Sequence, residues 1–238
     1  MSHHESCGHH GHHKCNEKTG LPRIGDKAPA FTADTSEGRV NFPEDYEGKW
    51  VILFSHPGDF TPVCTTEFLT FASMEEEFKD LNTELIGLSI DSTPSHIAWA
   101  KSMENIDWNG HKGTKVNFPI INDISMNVSK KYGMIHDKGG TSTIRAVFII
   151  DDKGIVRLIM YYPASVGRNM DEIKRVVLTL QKADTASCAS SANWKSGDPV
   201  IDPIPKDHKG VKDRVDGAEE NKMDVKDWYL VFKDGKDK

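Results

Sequence analysis

Cysteine is scarce in this chain: Cys7, Cys15, Cys64 and Cys188 are the only four in 238 residues. They are too few and too scattered to staple a chain of this length, which excludes a disulfide scaffold. No C-x-x-C pair occurs, so the cysteines alone do not build a metal site. Long apolar runs are also missing. Those present are strand-sized and the mean hydropathy is −0.53, so no membrane span is expected. The N-terminus lacks the apolar stretch of a secretory signal, which makes the cytoplasm the expected location. A basic surplus is absent too. With a net charge of −6 and a pI near 6.0, the chain is not expected to bind nucleic acid. No bound cofactor or structural metal is expected.

The length suffices for one full core with an appendage. Three regions differ in composition. Residues 1–20 carry His3, His4, His9, His10, His12 and His13 with Cys7 and Cys15 and almost nothing apolar. Such a segment cannot offset its ordering entropy by burial and is expected to be a disordered tail. Its imidazoles and thiols suit Zn, Cu or Ni, and the plain alternative is a solvated tail or a cloning remnant. Residues 21–183 alternate strand and helix signals. Residues 184–238 are rich in Ala and Ser at first and then punctuated by Pro199, Pro203 and Pro205. That last region reads as a small extension that packs on the main domain or on a second subunit.

Within the middle region, the apolar run 50–54 reads as a buried strand, and a helix is expected over about 65–79 with Phe68, Phe71, Met74 and Phe78 at helical spacing. A second strand covers 85–90. Thr93-Pro94 opens another helix, with Pro94 at the favoured first position and Ile97, Trp99, Ala100 and Met103 along it. Residues 118–121 are short and extended. A short helix over 125–132 is stopped by Gly133. Runs 144–150 and 155–161 flank Asp151-Asp152-Lys153-Gly154 and read as a hairpin. Asn169, with Glu172 three residues on, caps a last helix whose core face is Met170, Ile173, Val176, Val177 and Leu180. Residues 228–232 read as one more strand. The sum is an α/β domain with a mixed sheet flanked by helices: β-α-β-α, then a hairpin and a helix, the order of a thioredoxin-like fold.

The chemistry concentrates at His56-Pro57-Gly58-Asp59-Phe60-Thr61-Pro62-Val63-Cys64. This segment joins the first core strand to a helix. A cysteine at a helix start faces unpaired N–H groups and a partial positive charge, which favour thiolate over thiol. Thr61-Pro62-Val63-Cys64 stands where a thioredoxin has C-x-x-C, and the threonine removes the second sulfur. Its hydroxyl can instead hydrogen-bond an incoming oxygen substrate. Pro57 can shield the sulfur from water without offering a competing N–H. A guanidinium is also needed to stabilise the thiolate and hold oxygen, and spacing alone does not decide which arginine supplies it.

Pro57, Thr61 and Cys64 form P-x-x-x-T-x-x-C, and from about Leu21 to Trp194 the chain resembles the peroxiredoxins, thiol peroxidases, of the one-Cys subgroup that includes archaeal enzymes. The resemblance is carried by Phe54-Ser55-His56-Pro57, Thr61 through Glu67, Leu88-Ser89-Ile90-Asp91-Ser92, Phe118-Pro119-Ile120-Ile121, Tyr162-Pro163, Gly167-Arg168-Asn169 and Ala192-Asn193-Trp194. It implies that the Cys64 thiolate attacks a hydrogen peroxide or organic hydroperoxide and becomes a sulfenic acid. It also implies that Arg145 contacts thiolate and peroxide, that Arg168 supports the same pocket, and that Glu67 holds an arginine in place. His56 lies near the active cysteine in this subgroup and can contact its oxidised form; a packed core histidine is the alternative.

Recycling requires a second thiol. Some archaeal members of the subgroup carry a cysteine pair near the C-terminus, but residues 225–231 here contain none. The expectation is a one-Cys cycle driven by an external reductant: a thioredoxin-like or glutaredoxin-like protein, or a low-molecular-weight thiol. The alternative is resolution by Cys188, with Cys7 or Cys15 behind it. The phospholipase activity of some animal members is not carried over, because residues 46–50 contain no serine. By resemblance the chain forms a homodimer or a decamer, and a redox-regulated chaperone-like oligomer is the competing function.

Overall fold

A computed structural model describes residues 20–135, 140, 142–217 and 223–235. The metal-binding reading of the His-rich tail, with Cys7 and Cys15, therefore falls outside the described residues. The main sheet has seven strands in the order β2-β1-β5-β4-β3-β6-β7. They are β1 (Phe31–Thr35), β2 (Gly38–Phe42), β3 (Trp50–Ser55), β4 (Thr83–Ser89), β5 (Ile120–Asn122), β6 (Arg145–Ile150) and β7 (Val156–Tyr162). The centre, β3-β4-β5, is parallel, whereas β6 runs antiparallel to β3 and to β7, and β1 runs antiparallel to β5 and to β2. The sheet is thus mixed, as the sequence suggests.

β3 is buried along its whole length. It is covered on both faces, which is why its sequence is a continuous apolar run rather than an alternating one. Trp50, Ile52 and Phe54 join one core and Val51 and Leu53 the other, as the period of two requires. The first core takes in Phe68 and Phe71 of α1 (Pro62–Ser73), Phe78 of α2 (Glu75–Asp80), Trp99 and Met103 of α3 (Thr93–Met103), and Ile173, Val176 and Val177 of α5 (Met170–Ala186). The second is closed by the β1/β2 hairpin through Phe31 and Phe42, and by Val128 of α4 (Asn127–Lys131).

Several sequence expectations shift. The helix expected over 65–79 starts earlier, at Pro62, because proline suits the first helical position. It also divides at Met74. Ahead of that break, Thr65, Thr66, Thr70 and Ser73 each turn a hydroxyl back onto a carbonyl of the preceding turn, a habit that bends helices. In α3, Ile97 is exposed. The face carrying Trp99 and Met103 continues to His96 instead, because residues three and four apart share a face. Asn169 caps α5 by accepting the Glu172 N–H. Glu172 does not complete a reciprocal box; its carboxylate is engaged by Arg175. The strand expected over 228–232 is a hairpin, with Trp228 and Tyr229 in the turn between β9 (Asp224–Asp227) and β10 (Leu230–Lys233). β10 pairs with β9 and with β8 (Val200–Ile201) in a second, three-stranded sheet, accompanied by α6 (His208–Asp216). The β1/β2 hairpin is an addition to the elements expected from the sequence. Its five-residue strands are half polar and bury little between their ends.

No helix is long and apolar enough to cross a membrane among the described residues. One tight contact positions the active helix on the sheet: a Cβ at Gly87 of β4 would lie 3.1 Å from the Phe68 ring of α1. Gly87→Val is expected to overpack this contact and lower the unfolding free energy by about 1–3 kcal/mol, read as a shifted denaturant midpoint.

Candidate active site

The segment between β3 and α1 sets the sulfur in place. Phe60, exposed, adopts φ +55°, a left-handed turn uncommon for a bulky residue. Thr61 follows as N-cap with extended backbone, and Pro62 opens α1. Cys64 therefore sits in the first turn, fully buried. Thr65 N–H already bonds the Thr61 carbonyl (3.0 Å), and Pro62 has no N–H, so the N–H groups of Val63 and Cys64 remain without a partner inside the helix. The Thr61 hydroxyl does not cap the helix. It donates to the Gly58 carbonyl at 2.8 Å, which leaves its oxygen lone pairs as acceptors for a substrate O–H.

The two arginines named from the resemblance converge on this turn. Arg145, the first residue of β6, places Nη1 3.2 Å from Cys64 Sγ and 2.8 Å from Glu67 Oε2. Its Nε and Nη2 both donate to the Ala164 carbonyl, at 3.0 and 2.8 Å. Arg168 meets Glu67 side by side, Nε to Oε1 at 2.9 Å and Nη2 to Oε2 at 2.7 Å, and its backbone N–H adds a third bond to Oε1 at 2.8 Å. Nη1 of Arg168 bridges the carbonyls of Ser55 and Ala146, both at 3.0 Å. Ser55 Oγ in turn donates to the Ile144 carbonyl and accepts the Ala146 N–H. The cluster thus ties the ends of β3 and β6 to the first turns of α1. Arg168 also lies over the Phe54 ring, 5.2 Å from its centroid, a further favourable contact for a guanidinium.

Arg145, Arg168, Glu67 and Cys64 are all buried. Two guanidiniums and one carboxylate leave one positive charge out of water, and an uncompensated buried charge is costly. A thiolate at Cys64 makes the set neutral. The arrangement can therefore hold a sulfur anion beside a fixed donor and direct that donor at oxygen arriving on the sulfur.

The structure places the other named residues less centrally. Pro57 is half-buried in the same loop. His56 follows β3, its ring between Phe68 (centroids 4.7 Å apart) and Trp99 (5.1 Å). Its Nε2 lies 2.9 Å from Asp59 Oδ1, while Nδ1 is buried with no partner among the described residues. Burial pushes this imidazole below its ordinary range, offset in part by Asp59. Cys188 is not brought to the site. It follows α5, whose first turn adjoins Arg168 and whose 17 residues extend about 25 Å at the usual rise. There its Sγ faces the Lys182 carbonyl and Ala189 is bridged to Ile201.

Sequence reasoning leaves out Asp59, His96 and the carbonyls of Ser55, Ala146 and Ala164. Backbone acceptors have no sequence signal. His96 has one, its position one turn before Trp99 and two before Met103 on the buried face of α3.

Comparison with known proteins bears on the family and the fold. Residues 24–159 match the AhpC/TSA family. A peroxiredoxin of Methanosarcina mazei is 56% identical over 215 residues, covering 90% of this chain and 98% of the relative. Peroxiredoxin 2 of Sulfurisphaera tokodaii is 49% identical over 218 residues, covering 90% and 97%. Among solved structures, the yeast mitochondrial 1-Cys peroxiredoxin superposes with a TM-score of 0.77 at 36% identity, covering 90% of this chain and all of that one. A cysteine-to-serine mutant of peroxiredoxin 6 of Arenicola marina gives 0.80 at 30%, covering 91% and 99%.

Because Glu67 is the carboxylate that pairs with both buried guanidiniums, Glu67→Ala is expected to cost about 3–5 kcal/mol of stability, measured by equilibrium unfolding. Taken with the thiol set among fixed donors at a helix start, the family match and these identities establish that the chain belongs to the AhpC/TSA family, the thiol-dependent peroxidases called peroxiredoxins.

Proposed function

We propose that Cys64 is the peroxidatic residue of a one-Cys cycle acting on hydrogen peroxide and small organic hydroperoxides. The observation that carries this reading is the 3.2 Å contact from Arg145 Nη1 to Cys64 Sγ inside a buried, charge-matched cluster. The thiolate attacks the terminal peroxide oxygen in line. The S–O bond forms as the O–O bond breaks, sulfur gives up two electrons, and the departing oxygen takes a proton and leaves as water or alcohol. Negative charge spreads from sulfur over both oxygens as this happens. Arg145 and the free N–H groups of Val63 and Cys64 are the donors aimed at that charge, and they need no reorganisation to meet it. Thr61 Oγ1, its proton already given to Gly58, accepts the hydroperoxide O–H and orients the attacked oxygen. Glu67 and Arg168 keep Arg145 in place, and Pro57 shields the sulfur. His56, with a buried nitrogen lacking a partner, meets the oxidised cysteine.

The sulfenic acid is reduced by an external thiol: one thiol displaces water to give a mixed disulfide, and a second displaces the Cys64 thiolate. The position of Cys188 beyond the far end of α5 favours this over internal resolution. So does the similarity to a 1-Cys peroxiredoxin of yeast mitochondria described as resolved through glutathione and thioredoxin systems. A cytoplasmic homodimer is the expected working form. β7 is an end strand of the main sheet carrying an exposed Tyr161, an edge of the kind a second copy can cover.

Cys64→Ser is expected to abolish peroxide consumption, and full retained activity would refute the assignment. Arg145→Lys keeps the charge but loses the fork, and is expected to slow Cys64 oxidation about 10²-fold. Cys188→Ser is expected to leave turnover with an external thiol unchanged. Mass spectrometry after one equivalent of peroxide is expected to find no disulfide between Cys64 and Cys188.

A further inference from the structure

Beside the cysteine cluster lies a second buried polar group, of which the mechanism above uses only His56. Asp59, in the loop that carries Pro57 and Thr61, sits between two histidines. His56 Nε2 is 2.9 Å from its Oδ1 and His96 Nδ1 is 2.8 Å from its Oδ2. The other nitrogen of His96 lies 3.2 Å from the carbonyl of Ile121 in β5. Both imidazole side chains are fully buried, and the Asp59 carboxyl is 1% exposed. The loop is pinned once more where Asp59 N–H donates to Asp91 Oδ2, which also accepts the Ser89 hydroxyl.

Hydrogen-bond chemistry fixes the protons. With Asp59 ionised, the carbonyl and the carboxylate both accept, so both nitrogens of His96 donate and His96 is an imidazolium. Asp59 is its counter-ion, and the pair is neutral. Burial alone would raise the Asp59 carboxyl, but the bonds from His56 and His96 outweigh it and hold the group well below the usual carboxylate range. His56 then donates from Nε2, and its Nδ1 is left with a lone pair. That atom has no partner among the described residues, as expected of a ring kept neutral by a donor-only bond on the opposite side. The charged groups acting on His56 are Asp59, His96 and Arg168, and both cations disfavour a second proton on it.

A divalent cation is the competing occupant, since one atom from each of the three residues lies within 4.8 Å of the others. A metal-bound imidazole normally donates its other N–H to an acceptor. His96 satisfies this through Ile121. His56 does not, because a metal on Nε2 would leave a proton on Nδ1 facing nothing. The group is built for protons.

We propose that Asp59 and His96 are positioning residues for the Cys64 reaction. The His96 cation locks the Asp59 carboxylate, and the carboxylate fixes His56 as the neutral Nε2–H tautomer while holding the 56–61 loop, with Pro57 and Thr61, against β5 and α3. This rests on the peroxidase reading of Cys64. It is separable from that reading, because the proton positions can be observed without turnover.

Nitrogen-15 NMR of the reduced full-length protein is the test, with the two resonances assigned by His56→Asn and His96→Asn variants. His96 is expected to read as doubly protonated and His56 as neutral and protonated on Nε2. A neutral His96, or a His56 protonated on Nδ1, would overturn the proposal even if Asp59→Ala does not fold. In Asp59→Ala, His56 is expected to lose its single tautomer and Cys64 oxidation to slow about tenfold or more, with Asp59→Asn restoring the His56 tautomer and most of the rate. An unchanged His56 spectrum and rate in Asp59→Ala would overturn it. So would stoichiometric zinc in the purified protein that Asp59→Ala removes. Loss of all peroxidase activity in Cys64→Ser bears on the peroxidase reading alone.

Discussion

Everything at the sulfur depends on one carboxylate. Glu67 Oε1 accepts the backbone N–H and Nε of Arg168, and Oε2 accepts Nη2 of Arg168 and Nη1 of Arg145. Arg145 could not keep a guanidinium out of water beside a thiol without that counter-charge, since burying an unpaired ion costs several kcal/mol. The carboxylate also decides direction. It shares Arg145 Nη1 with Cys64 Sγ, so the donor nearest the sulfur is aimed by a group one helical turn further along α1. The remaining nitrogens of both arginines end on carbonyls of Ser55, Ala146 and Ala164. None is left to swing away.

This arrangement explains why a sheet with β6 beside β3 suits the chemistry. The antiparallel β3/β6 pair brings the end of β3 next to the start of β6, so the loop that leads to Cys64 and the strand that begins with Arg145 emerge together. α5 begins immediately after Arg168 and packs Ile173 and Val177 into the core that holds Phe68. Phe68 and Glu67 are neighbours on α1, so packing the one fixes the other. The fold therefore preorganises the donors before any substrate arrives, which is where most of the catalytic advantage of such sites lies. The Asp59 group extends the same logic to the other side of the loop.

How much of this the sequence exposes depends on distance along the chain. β3 and β6 are legible because they are apolar runs buried along their whole length, and α5 because its buried face recurs at helical spacing. The motif around Cys64 is legible because Thr61 and Pro57 act within one loop. Arg145 lies 81 residues from Cys64, and no spacing rule reaches that far; only the resemblance to a family singles it out. Asp59 and His96 are 37 residues apart. His96 is hidden because the apolar Ile97 beside it draws the expected helix face one residue round. The β1/β2 hairpin and the break at Met74 escape for different reasons. One buries too little to leave a pattern, and the other arises from back-bonding hydroxyls rather than from a breaker residue.

The claim that Glu67 acts by aiming Arg145 at the sulfur is tested most directly by a double-mutant cycle on the single-turnover rate of Cys64 oxidation, using the isosteric Glu67→Gln and the charge-keeping Arg145→Lys in protein shown to be folded by circular dichroism. Glu67→Gln is predicted to slow oxidation when Arg145 is present and to have almost no further effect once Arg145 is lysine. Two independent, additive losses would contradict it.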